Sequence, residues 1–166
     1  MSLLERIRVL FQRPDYLGMS PEARVAPERF TIEPDDHHAE RVGTASDGRR
    51  FFITTPFERG NEFVTTFFWA PDGSYDSIVI EDLGPRADLD SAAIVEVLER
   101  HTASLGGHVI ESISVAPFAV EAHGTTFGFV AREADADDPD GTAAVELLPG
   151  NFMAYFWPWD SGYYDT

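Results

Sequence analysis

The stretch "EFVTTFFWAPDGSYDSIVIEDL" (residues 62–83) contains two strand-like runs that are joined by a short turn. Both runs are rich in Phe, Val, Ile and Thr, which suit a pleated and half-buried surface. Between them, "PDGS" (71–74) supplies the Pro, Asp and Gly residues that favour turns. The stretch therefore predicts two neighbouring antiparallel strands.

Similar runs and turns continue on both sides of this stretch. Upstream, "DG" (47–48) separates "HAERVGTA" from "RRFFITTPF", which is typical of a hairpin, and "RGN" (59–61) leads into the next run. These four runs predict a first meander that begins near residue 38. A second meander of four strands follows near the end of the chain: "HVIESISVAPFAVEA", the turn "HG" (123–124), "TTFGFVARE", the acidic loop "EADADDPDG" (133–141), "TAAVELL", the turn "PGN" (149–151) and "FMAYFWPW".

A long helix is predicted between the meanders, at about residues 88–105. Asp88 or Asp90 can cap its N-terminus, and Gly106 and Gly107 end it. Its apolar stripe, spaced at helical intervals, is formed by Ile94, Val97, Leu98, His101 and Leu105.

A short amphipathic helix is predicted at about residues 2–12, and Pro14 ends it. The whole pattern predicts an α+β fold: a largely antiparallel sheet of about seven to nine strands in two meanders, with the long helix packed on a face. One domain is expected, in which residues 1–13 form the amphipathic helix, residues 14–36 a proline-containing connector and residues 37–166 the α+β body.

The charge of the chain disfavours one class of function. Twenty-nine Asp and Glu residues oppose twelve Arg residues, there is no Lys, and the net charge is −17. Such a surface repels phosphate backbones, so nucleic acid is not an expected ligand. A GC-rich genome, a salt-rich cytoplasm or attraction to a basic partner protein each account for the acidity.

The absence of Cys is compatible with a reducing cytoplasm, and the charged start of the chain does not resemble a signal peptide. We therefore expect a cytoplasmic protein. The locally basic helix at residues 1–13 could attach to a membrane surface. The simpler expectation is that its apolar stripe packs on the domain.

The segment "NFMAYFWPWDSGYYDT" (151–166) has seven aromatic residues among its sixteen. Residues 152–157 are expected to be a core strand with two apolar faces, which Pro158 ends. Residues 159–164 are either a tail docked on the domain or a surface for a partner or ligand. The candidate residues of that surface are Trp157, Trp159, Asp160, Tyr163 and Tyr164.

The segment "EPDDHHAE" (33–40) is the best candidate for a metal site, with Asp35, Asp36, His37 and His38 as ligands. Adjacent His residues on a strand point to opposite faces, however, and a solvated charge cluster is the simpler interpretation. The acidic loop at 133–141 lacks the ligand spacing of a calcium loop. No cofactor is expected.

The chain lacks the sequence signatures of the serine-hydrolase elbow, the zinc-protease helix and the phosphate-binding loop. Without Lys, Schiff-base chemistry is excluded. His101, His108 and His123 are the candidates for general acid–base catalysis.

Three classes of function remain open. The favoured one is a non-catalytic module that binds a protein or a small ligand, such as an inhibitor or immunity-type partner of a basic protein. The second is a small hydrolase or metal-dependent enzyme that uses His and carboxylates. The third is a peripheral membrane-associated factor that uses the N-terminal basic helix.

Overall fold

The computed structural model describes residues 20–150 and 152–164. These residues contain thirteen strands in three mostly antiparallel sheets and one helix longer than two turns, which confirms the α+β prediction. The strands are more numerous than the predicted seven to nine, because prolines divide two of the predicted runs and several strands have only two or three residues. The helix predicted at about residues 2–12 lies outside the described residues.

The elements follow one another along the chain with short connections. The helix α1 spans Ser91–Ala103, and two 3-10 turns span Pro21–Arg24 and Arg86–Asp88. The strands are β1 (Phe30–Ile32), β2 (Val42–Ala45), β3 (Arg50–Thr54), β4 (Phe57–Glu58), β5 (Asn61–Trp69), β6 (Tyr75–Pro85), β7 (His108–Ile110), β8 (Ile113–Val115), β9 (Phe118–Ala122), β10 (Thr125–Arg132), β11 (Ala144–Leu148), β12 (Met153–Tyr155) and β13 (Gly162–Tyr164).

The chain divides into two compact units. The central unit is Ile32–Ala116, and the terminal unit comprises the described residues on either side of it. The strands β1 and β8 lie at the two points where the chain passes between the units. The expected single domain remains a prediction.

The central unit contains a six-stranded sheet in which β3 and β5 lie in the middle. β5 pairs with β3, β4 and β6, while β2 lies between β3 and β7. The hairpins predicted around residues 47–48, 59–61 and 71–74 are confirmed by the antiparallel pairs β2–β3, β4–β5 and β5–β6. In the second of them Arg59 and Gly60 have φ values of 49° and 79°, as a two-residue turn that follows the sheet twist requires.

The helix α1 packs on one face of this sheet. Asp90 caps it by accepting a hydrogen bond from the Ala93 backbone N–H at 2.7 Å, and Val97 and His101 are its buried residues. The helix begins at Ser91, later than expected, because residues Arg86–Asp88 form a 3-10 turn. The apolar cluster beneath it consists of Ala45, Phe51, Ile53, Val64, Phe68, Val97 and Leu105.

The other face of the sheet is aromatic. Phe52, Phe67 and Trp69 are fully buried, and the rings of the first two stack at 6.2 Å with an interplanar angle of 10°. The indole N–H of Trp69 donates a hydrogen bond to the Ala116 carbonyl at 2.9 Å. Since β3 and β5 are covered on both faces, they give the outer strands a fixed support.

The terminal unit contains a five-stranded sheet in the order β13-β12-β11-β10-β9. The predicted turn at residues 123–124 is confirmed, with φ values of 50° and 73°. Phe30 packs against the rings of Phe129 and Tyr155, with centroids 5.1 and 4.8 Å apart.

The aromatic C-terminal segment forms two strands of this sheet rather than one. Residues 153–156 are buried, as expected of a core strand, and Phe152 is half-buried. Trp157 is 38% exposed, so its predicted place in the core is wrong. The reason is that the chain turns at Pro158, where the Trp159 N–H donates a hydrogen bond to the Phe156 carbonyl at 2.7 Å, and then returns as β13.

Candidate functional site

A surface cleft of about 230 Å³ lies in the central unit beside the edge strand β7. It is lined by Pro34, Asp35, Asp36, Glu40 and Ile110. We call it the β7 cleft. Three of its five lining residues are carboxylates, and the other two are apolar.

The acidic wall of the cleft is built by a turn that Asp35 stabilises. One carboxylate oxygen of Asp35 accepts hydrogen bonds from the backbone N–H groups of His37, His38 and Ala39, at 2.6, 2.6 and 3.2 Å. Ala39 is fully buried and anchors the turn. Asp35 therefore shapes the loop, and the exposed residues Asp36 and Glu40 supply its outward negative charge.

The apolar side of the cleft is formed by β7, which lies close to β2. A Cβ atom added at Gly43 would lie 1.8 Å from the Val109 carbonyl oxygen, so only Gly permits this approach. Beyond β7, the Glu111 N–H donates a hydrogen bond to the Val42 carbonyl at 3.2 Å. The side chains of Val109 and Ile110 are 59% and 46% exposed, which is unusual for two adjacent apolar residues in a sheet.

The outer edge of β7 is open within the described part of the chain. There β7 pairs with β2 alone, at the end of the strand order. Because the backbone groups of successive strand residues alternate in direction, and the Glu111 N–H points to β2, the Ile110 N–H points away from it.

The charge of the cleft is only partly balanced by its surroundings. Glu40 forms an ion pair with Arg41 at 3.1 Å, and Arg41 also contacts Glu99 at 3.2 Å. Asp36 has no hydrogen bond or ion pair with any described residue. The cleft is therefore suited to a cationic group.

The residues predicted to bind metal do not converge. His37 is exposed and His38 half-buried, and their rings are 6.4 Å apart at 78°. Across residues 20–150 and 152–164, no three His, Asp or Glu side chains are placed to hold a metal ion. Asp35 and Asp36 instead line the cleft.

His101, a catalytic candidate, belongs to a buried polar network. Its Nδ1 is 2.8 Å from the Thr66 hydroxyl oxygen, and its Nε2 is 3.1 Å from a carboxylate oxygen of Glu81. Arg100 donates two hydrogen bonds to the same carboxylate, at 2.7 and 3.1 Å. The hydrogen bonds from Arg100 lower the pKa of Glu81, and Glu81 in turn raises the pKa of Arg100.

This network has the connectivity of a hydroxyl–imidazole–carboxylate relay, but its hydroxyl and imidazole groups lie inside the fold. Thr66 is 2% exposed and His101 is 6% exposed. A nucleophile needs access to its substrate, which the buried Thr66 hydroxyl lacks. The network therefore joins α1 to β5 and β6 across the sheet.

The other two catalytic candidates have separate environments. The His108 Nδ1 is 3.3 Å from the Gly106 carbonyl oxygen, and its ring meets the Phe51 ring edge-on at 5.6 Å. His123 lies in the turn between β9 and β10, with its ring 6.3 Å from that of Phe127.

Two buried carboxylates are further candidates for a chemical role, and each forms an ion pair with an Arg. Glu62 is 2.8 Å from Arg86, and burial raises its pKa against the opposing effect of that Arg. Glu146 is 3.0 Å from Arg132. The pair of Glu146 and Arg132 joins the adjacent strands β11 and β10, and the pair of Glu62 and Arg86 joins β5 to the 3-10 turn that begins at Arg86.

The acidic loop at residues 133–141 surrounds the guanidinium group of Arg24. The guanidinium group of Arg24 forms hydrogen bonds to four backbone carbonyls of this loop, which closes the loop. The acceptors are the carbonyls of Asp135, Asp138, Pro139 and Gly141, at 3.0, 3.0, 3.1 and 2.7 Å.

The predicted aromatic surface is partly used by the terminal unit itself. Tyr163 is half-buried and packs edge-on against Phe156 at 5.4 Å, and Tyr164 ends β13. Trp159 is half-buried, and its carbonyl accepts a hydrogen bond from the Thr31 N–H at 2.7 Å. Of the four candidates whose burial the structure describes, Trp157 and Asp160 are exposed. A partner surface at this segment remains a prediction.

Sequence patterns locate the acidic wall of the β7 cleft, but not its apolar side. The segment at 33–40 contains four of the five lining residues. Ile110 was missed, because nothing in the run "HVIE" indicates that this strand lies at the edge of a sheet. Thr66, Glu81 and Arg100 were missed because their contacts with His101 join separate elements.

Comparisons with known proteins supply no function. No protein-family model matches the chain, and no match was found among the curated proteins or the solved structures. No helix within the described ranges is both long and apolar enough to cross a membrane.

Proposed function

We propose that this protein is a non-catalytic interaction module that binds a basic partner protein at the β7 cleft, as an inhibitor or immunity-type protein does. The observation that carries the proposal is the exposed side chain of Ile110 beside three carboxylates. Protein interfaces combine an apolar centre with charged groups around it. Ile110 and the carboxylates of the cleft offer this combination on one surface.

The net charge of −17 supports a basic partner rather than a neutral one. A strongly acidic surface accelerates the approach of a cationic protein and repels other acidic ones. Within the cleft, Asp36 and Glu40 are exposed carboxylates that an incoming Arg or Lys can reach. Cationic side chains of the partner are therefore the expected ligands.

The burial of the polar networks supports a non-catalytic role. The Thr66 hydroxyl and the His101 ring are enclosed between α1 and the sheet. The polar side chains that line the β7 cleft, among the described residues, are those of Asp35, Asp36 and Glu40. Exposed carboxylates of this kind suit the recognition of a cationic group. A reducing cytoplasm, which suits a chain without Cys, is the compartment that we propose.

A charge-matched pair of variants tests the proposal. Asp36→Asn with Glu40→Gln removes two charges from the cleft, while Asp137→Asn with Asp140→Asn removes two from the exposed loop at 133–141. The probe is a blocked eight-residue peptide of alternating Arg and Val, and its affinity is measured by calorimetry at about 0.15 M salt, where distant charges are screened.

We expect the cleft variant to bind about fivefold more weakly than the native protein, since each exposed charge contact contributes up to about 1 kcal/mol. The loop variant should bind within twofold of the native protein. Equal losses in the two variants would show attraction by net charge alone and would refute a site at the β7 cleft.

A further inference from the structure

We propose that the basic partner is recognised as an extended segment that adds as a strand to the outer edge of β7. This inference rests on the proposed function and specifies how the partner binds. Strand addition uses backbone hydrogen bonds for affinity and side-chain pockets for selectivity. The β7 edge supplies the backbone groups, and the adjacent cleft supplies the pocket.

The edge is accessible along its whole length. All three residues of β7 are exposed, and no described strand lies on the side opposite β2. The N–H of Ile110 points away from β2, as inferred from the bond that joins Glu111 to Val42. An incoming strand therefore meets backbone groups that are ready to pair.

The edge is also held in place before binding. β7 pairs with β2 in a defined antiparallel register, with Gly43 opposite Ile110 and Thr44 opposite Val109. The Thr44 hydroxyl also contacts Glu111 at 2.5 Å, just beyond β7. A fixed edge reduces the entropy that is lost on binding.

The alternation of side chains defines the ligand. The Ile110 side chain lines the cleft, so the residue of the incoming strand beside it faces the same way. Cross-strand Cβ atoms lie about 5 Å apart, which lets a Lys or Arg at that position reach Asp36 and Glu40. The residues on either side of it point to the opposite face of the sheet, where an apolar side chain fits beside Val109. The preferred segment therefore alternates basic and apolar residues.

The charge of the cleft distinguishes this occupant from a second copy of the chain. A copy would bring its own carboxylates to the same edge, at a net charge of −17 for each chain. The strand at the other edge of the central sheet, β6, is longer but less suited to a basic strand. Its Glu81 is already bonded to Arg100, and its Asp82 to Asn61 at 2.7 Å.

Backbone methylation of the probe tests strand addition without changing charge. Two versions of the alternating Arg and Val peptide are compared, one N-methylated at every Val and the other at every Arg. In a bound strand, the backbone N–H groups of alternate residues point to opposite sides. Those of either the Val residues or the Arg residues therefore face β7, and those of the other residue type face solvent. We expect one version to bind at least tenfold more weakly and the other to remain within about threefold of the unmodified peptide.

Hydrogen exchange of the full-length protein gives the second readout. Bound peptide should protect the Ile110 amide and leave the Glu111 amide, which is already bonded to β2, unchanged. The Asp36→Asn and Glu40→Gln variant should show weaker protection at the same peptide concentration.

The outcomes separate the two proposals. Equal affinities of both methylated peptides and the unmodified one, with a loss in the cleft variant, would overturn strand addition but retain the acidic binding site. Equal affinities for the cleft variant and the loop variant would overturn the proposed function, and the strand-addition mode with it.

Discussion

Gly43→Ala is the substitution that tests most sharply how β7 is placed. The added Cβ atom would lie 1.8 Å from the Val109 carbonyl oxygen. Carbon and carbonyl oxygen atoms normally approach to about 3.3–3.6 Å, so β7 must move outward by roughly 1.5 Å. The atom in the way belongs to the backbone, so no rotation of a side chain relieves the overlap.

This displacement should break the adjoining hydrogen bonds between β2 and β7. The 3.2 Å distance between the Glu111 nitrogen and the Val42 oxygen would lengthen to about 4.7 Å, which is no longer a hydrogen bond. Two such losses, at about 0.5–1.5 kcal/mol each, lower the free energy of unfolding by about 1–3 kcal/mol. Urea denaturation measures this loss, and hydrogen exchange at Glu111 should accelerate.

Gly107→Ala is the matched control. Its added Cβ atom would meet only the Ser46 Cβ, at an ordinary distance of 4.0 Å. We expect a change within about 0.5 kcal/mol. If Gly43→Ala is as stable as Gly107→Ala and leaves exchange at Glu111 unaltered, the close pairing of β2 and β7 is refuted.

Three other predictions concern stability. Asp90→Ala should lower the free energy of unfolding by about 1 kcal/mol, because α1 loses its N-terminal cap, and a thermal melt that is unaltered would contradict that role. The pKa of Glu81 is lowered in the folded state, so its ionic contribution to stability is complete above its unfolded pKa, about 4.3, and is lost as the pH falls through the lower folded value. Urea titrations between pH 6 and about pH 3 should therefore show a weaker pH dependence in Glu81→Gln than in the native protein, and equal slopes would argue against the effect. Arg24→Ala should speed proteolytic cleavage within residues 133–141, because four hydrogen bonds to that loop are lost, whereas a cleavage rate equal to that of the native protein would show that the loop does not depend on them.

Much of the fold follows from local chemistry in the sequence. The turns at 47–48, 59–61 and 123–124 carry Gly where the backbone has a positive φ, so they predict their hairpins directly. The long helix follows from its apolar spacing and from Asp90, which caps it as expected. These features depend on residues that are close together in the chain.

The site is less accessible to such reasoning, because it depends on contacts between distant residues. Nothing in "HVIE" shows that β7 lies at an edge, and that position is what exposes Val109 and Ile110. The misplacement of Trp157 has a similar cause. The alternation of residues 152–159 resembles one strand, whereas Pro158 turns the chain after Phe156 and β13 then pairs with β12.

The most direct measurement is a map of amide chemical shifts in the full-length protein as the alternating Arg and Val peptide is added. Binding at the β7 cleft should move the signals of residues 34–40 and 108–111 and leave the rest nearly unchanged. The largest shifts at residues 157–163, the competing aromatic surface, or at the loop 133–141, would contradict a binding site at β7.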